Sequence, residues 1–140
     1  MTTSPVSQKP VATWFRYCLL LTTIFNLFGA IRFAPPVYYG ANTVELPKDA
    51  IFVHWVIASW IFILGASYGW LAITAKPEKF FIAVAAACKI AIAILFFIFW
   101  FQGDLSFTFL LAGCGDLLFA FAFIFWLWQT PHTIKENQKP

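Results

Sequence analysis

Residues 80–128 read FFIAVAAACKIAIAILFFIFWFQGDLSFTFLLAGCGDLLFAFAFIFWLW: two long apolar runs joined at Gln102-Gly103-Asp104, with Lys89 and Asp116 near their middles. The midpoint between those charges falls between Gln102 and Gly103, so folding the chain back there brings both to about the same depth. A bare charge at the centre of a bilayer costs roughly 2.5 to 3.5 kcal/mol on insertion scales. Opposite charges at one depth relieve each other. The stretch therefore predicts a helical hairpin with an ion pair between its arms.

The rest of the chain agrees with a membrane setting. It has 140 residues, 61% hydrophobic against 11% charged, which leaves far too little polar surface for a soluble domain of this size. Four runs have the roughly 20 residues a bilayer core demands: Trp14 to Ala34, Ala50 to Ile73, Phe80 to Phe101 and Leu105 to Trp128. They are continuous rather than alternating, which favours helices over a barrel. The predicted fold is all-α: a four-helix transmembrane bundle, up-down-up-down, with helices 14–34, 50–73, 80–101 and 105–128 and tails at 1–13 and 129–140. Ala34-Pro35-Pro36 stops the first helix, Asp49 is the expected N-cap of the second, and Thr130-Pro131 closes the fourth. Of the connections, only Pro35 to Asp49 is long enough for structure of its own, with Val37-Tyr38-Tyr39 suited to an interface. Residues 1–11 and 129–140 are short, polar and Pro-containing, as mobile tails are.

Charge placement sets the orientation. With four crossings, Lys9, Arg16, Lys76, Lys79, Lys135 and Lys139 share one side and Arg32 and Lys48 the other, so both termini are expected in the cytoplasm. Trp14, Trp70, Trp126 and Trp128 mark the inner boundary; Tyr38, Tyr39, Trp55 and Trp100 mark the outer one. The net charge of +3 is scattered over loops and tails in that pattern, so no nucleic-acid partner is expected. The first run is too long for a cleaved secretion signal, lacks a small-x-small site, and is expected to be retained.

Helical spacing sorts each span into a small or polar stripe and a bulky remainder. The stripes are Thr22, Asn26 and Gly29; Ala58, Gly65, Gly69 and Ala72; Ala86, Lys89 and Ala93; and Gly113, Asp116 and Ala120. Packing in lipid places small residues between helices and polar side chains across them, so these stripes should face inward, with Gly65-xxx-Gly69 a close-approach pattern. Asn26, Lys89 and Asp116 fall near the bilayer centre and form the candidate polar site, with Thr22, Arg32 and Tyr68 as supporting residues. Arg32, six residues after Asn26, is placed to face the outer mouth of a cavity there or to snorkel, as Arg16 can.

Other chemistry is sparse. His54 and His132 lie at opposite ends of their spans, roughly 30 Å of hydrocarbon apart, so one haem or metal cannot join them. No cofactor is expected. Cys18, Cys88 and Cys114 lie inside spans without a CxxC pattern and read as small packers. There is no nucleophile with an adjacent base, no HExxH and no phosphate-cradling loop, so the chain is not expected to be an enzyme. Gly65-Ala66-Ser67-Tyr68-Gly69 has a loose echo in Ala112-Gly113-Cys114-Gly115-Asp116, too short to argue an internal repeat.

Phe25-Asn26-Leu27-Phe28-Gly29, Gly65-Ala66-Ser67-Tyr68-Gly69-Trp70, Cys88-Lys89 and Gly115-Asp116-Leu117-Leu118-Phe119-Ala120 together resemble small four-span bacterial membrane proteins that have no settled activity. In that pattern Gly often precedes the third-span Lys, where this chain has Cys88. The resemblance implies a bacterial inner-membrane setting and no substrate. Small multidrug transporters share the size, but their working carboxylate lies in the first span, where this chain has only Asn26. Two functional expectations follow: a small binding or permeation protein whose polar cluster meets a small polar or amphipathic ligand, or a structural subunit whose ion pair fixes helix register or contacts a second copy or another membrane protein.

Overall fold

The computed structural model describes residues 12–40 and 47–130. Its elements are α1 (Thr13–Phe33), α2 (Pro35–Tyr38), α3 (Lys48–Thr74), α4 (Lys79–Phe101) and α5 (Phe107–Gln129). All but α2 are long and apolar enough to cross a membrane. The all-α class and the four spanning helices are those expected, and the chain is an integral membrane protein. Pro131, His132, Lys9, Lys135, Lys139 and nearly all of the two expected tails lie outside the described residues.

The chain divides into two compact units, meeting at Pro77 and Glu78, and each is an antiparallel hairpin. In the first, Arg16 at the start of α1 meets Ala72 near the end of α3, while Asn26 meets Ile61. In the second, Lys79 at the start of α4 meets Thr130 at the end of α5, and Phe96 packs its ring on Phe109.

Local chemistry explains the boundaries. Pro35 cannot continue α1, so Ala34 turns extended, and Pro35 then starts α2 at a position where its missing N–H costs nothing. Asp49 is not the N-cap of α3. Pro47 is, the helix begins at Lys48, and Asp49 lies in the first turn, where a carboxylate complements the helix dipole. The fourth span starts two residues later than expected, at Phe107, because Ser106 is extended and takes the N-cap position. At the tight turn, Gly103 adopts φ +85°. Its N–H reaches Trp100 O and the Asp104 N–H reaches Phe99 O, so two end carbonyls of α4 are satisfied in a Schellman arrangement.

The small and polar stripes are largely buried as expected: Thr22 and Asn26; Ala58, Gly65 and Ala72; Ala86, Lys89 and Ala93; Gly113, Asp116 and Ala120. Gly29 and Gly69 are only half-buried. Large residues complete the core, with Phe15, Leu19, Tyr68, Ile82 and Phe123 almost fully enclosed. Cys88 and Cys114 are exposed and Cys18 half-buried, so the two later cysteines are not core packers.

The two hairpins repeat one pattern. Leu19, Thr22, Asn26 and Ala30 of α1 are buried at the same spacing as Ile82, Ala85, Lys89 and Ala93 of α4. In the second arms, Ala58, Gly65 and Tyr68 share their spacing with Gly113, Ala120 and Phe123. This match sets Ile61, partner of Asn26, against Asp116, partner of Lys89. It differs from the echo in the glycine clusters, because burial rather than composition defines the alignment.

Candidate functional site

Lys89 and Asp116 lie near the middles of α4 and α5, helices of about 35 Å at the usual rise. Alanines flank Lys89 at 85, 86 and 93, and Gly113 and Ala120 flank Asp116, all of them buried. Such small neighbours let two helices approach closely enough for side chains to meet. The Lys89 Nζ donates to Asp116 Oδ1 at 2.6 Å. The residues are 6% and 8% exposed, so this is a buried ion pair rather than a surface one. The ammonium also lies 5.4 Å from the centre of the Phe119 ring, within cation–π range. Lys89 and Asp116, the two charges singled out in the sequence, are thus in contact.

The other candidate residues belong to the first hairpin. Asn26 is buried, and its Nδ2 donates to Ile61 O across the hairpin at a long 3.4 Å. Gly65 makes room for it. A Cβ on Gly65 would lie 2.9 Å from Asn26 Cβ and 3.6 Å from Thr23 O, so α3 can pass α1 at this height only without a side chain. Thr22 is buried and its hydroxyl donates to Cys18 O within its own helix, while Tyr68 is enclosed on α3. Arg32 is exposed in the last turn of α1.

Two cations have partners that sequence reading missed. Arg16 Nε donates to Ala72 O at 3.0 Å, and Lys79 Nζ to Thr130 O at 2.6 Å. Each closes the end of a hairpin opposite its connection by satisfying a carbonyl that the helix end leaves unpaired. A signal was present. A cation in the first turn of its own helix opposes that helix's dipole, so it belongs beside the C-terminus of another.

His54 is better held than an isolated interfacial histidine. Its Nδ1 is 3.0 Å from both Tyr39 Oη and Ala50 O, and the Tyr38 ring centre lies 4.4 Å away. Phe33 stacks on Tyr38, so α2 is tied to both neighbouring helices through aromatic rings. Among the described residues, no group of three or more His, Cys, Asp or Glu side chains is arranged to hold a metal ion. Comparison with family models, curated proteins and solved structures finds no match.

Proposed function

We propose that this chain is a small non-catalytic subunit of the bacterial inner membrane, with both termini cytoplasmic, in which the Lys89–Asp116 pair holds the second hairpin in register for assembly. The direct 2.6 Å contact between two buried charges carries this reading, since each group meets the other's charge within the hairpin itself. A slip of α4 along α5 would leave both unmatched in hydrocarbon, which a purely apolar seam would tolerate. The inner-membrane setting draws on the resemblance above, and the orientation on the distribution of basic residues.

The test compares Lys89→Met, Asp116→Asn and the double change in purified protein. A register lock requires both single variants to lose stability and the double variant to recover most of it. Full stability of both single variants would overturn the proposal. A binding or permeation role is the second reading, favoured because a buried ion pair is seldom the most stabilising way to fill such a space. It is supported if the double variant folds well but loses a lipid or small molecule that co-purifies with the native chain.

A further inference from the structure

We infer that Arg16 and Lys76, at the end of the first hairpin away from its connection, form a docking site for the headgroup of an anionic phospholipid. Arg16 is exposed, yet its Nε is anchored to Ala72 O, which holds the guanidinium against the last turn of α3. A guanidinium carries five donors in a rigid fork, so with Nε anchored its outer edge still presents N–H groups to a phosphate. Lys76 is exposed and follows Ala72 by four residues, just past the end of α3, so a second cation belongs to the same hairpin end. Trp14, Tyr17 and Trp70 are exposed within a few residues of these cations. Tryptophan and tyrosine favour the headgroup level, which is where a lipid phosphate lies.

The occupant follows from charge and depth. Two cations attract a net negative headgroup, whereas phosphatidylcholine brings its own cation. Lys79 is placed differently, since its ammonium is directed at Thr130 O in the second hairpin. This inference rests on the chain being a membrane protein and is independent of the Lys89–Asp116 proposal.

The full chain, purified in detergent, is titrated with phosphatidylglycerol or phosphatidylcholine of matched acyl chains, and bound lipid is read by native mass spectrometry. Phosphatidylglycerol is expected to bind the native chain more tightly. Arg16→Gln and Lys76→Gln should each weaken that binding about fivefold, the factor for roughly 1 kcal/mol per basic residue near a charged lipid. Arg32→Gln, removing an exposed cation at the other end of α1, should leave it unchanged. Lys76→Gln keeps the Arg16 anchor, so it tests the site even if Arg16→Gln fails to fold. Equal affinity for the two lipids, equal loss in Arg32→Gln, or displacement of the lipid by inorganic phosphate at matched concentration each overturns the inference.

Discussion

Lys89 and Asp116 were legible as a pair because charge is rare and costly in hydrocarbon, and because a tight turn fixes which positions of two arms lie level. Removing one partner is expected to cost about 3–5 kcal/mol, as for other buried ion pairs. Denaturation of Lys89→Met or Asp116→Asn in mixed micelles measures this, with the double variant recovering much of the loss and the amide left without its partner at position 116 accounting for about 1–3 kcal/mol of the remainder. Gly65 makes a sharper steric case. Gly65→Ala forces α3 away from Asn26 and Thr23 and should cost about 1–3 kcal/mol, the usual range for overpacking. Gly29→Ala is the control, because its Cβ would meet only the Ile61 Cγ2 methyl, at 3.4 Å; it should be neutral or stabilising. Equal losses in the two variants would show that the hairpin has slack at Gly65. Ala75 ends α3 in the left-handed region at φ 52°, where a Cβ is strained. Ala75→Gly is therefore expected to stabilise by about 1 kcal/mol, seen as a higher midpoint in the same titration.

Helix existence could be read from apolar length alone, whereas helix ends needed backbone detail. Asp49 is a good N-cap type, but Pro47 is already extended and preset to start the turn, so α3 begins before it. The Arg16 and Lys79 contacts depend on which helix end lies beside which, a fact no single-helix pattern contains. Lys79→Gln should loosen the last turn of α5, raising amide exchange at Thr130 and Gln129 while leaving the middle of the helix protected. Unchanged exchange there would mean that the Thr130 hydroxyl, bonded to Trp126 O, closes the turn unaided. Register within the second hairpin can be read chemically. With Cys18, Cys88 and Cys114 replaced by alanine, cysteines introduced as Phe96→Cys and Phe109→Cys should be joined by a short bifunctional thiol reagent, since those rings pack together, and the yield should drop when Lys89 and Asp116 are both replaced. An undiminished yield would show that apolar packing holds the register without the pair.

For the chain in its membrane, the basic residues make a directional prediction. With Cys18, Cys88 and Cys114 replaced by alanine, an impermeant thiol reagent outside intact cells should label Gly40→Cys and spare Lys76→Cys. The reverse pattern would invert the orientation while leaving each hairpin's internal geometry intact. The repeated burial pattern gives this membrane protein a simple construction: two hairpins built alike, one with an amide-to-carbonyl contact where the other has an ion pair.

Composition and run length settle the class of this chain, because hydrocarbon leaves an isolated segment few ways to satisfy its backbone, and a helix satisfies it locally. The common depth of Lys89 and Asp116 was equally accessible, since counting from one tight turn reaches both. Counting could not reveal the anchoring of Arg16 on Ala72, the rings around His54, or the outward aim of Cys88 and Cys114. Those features depend on how each helix is rotated and where it meets its neighbour, and rotation is set by the packing of many side chains at once rather than by the polarity of any one.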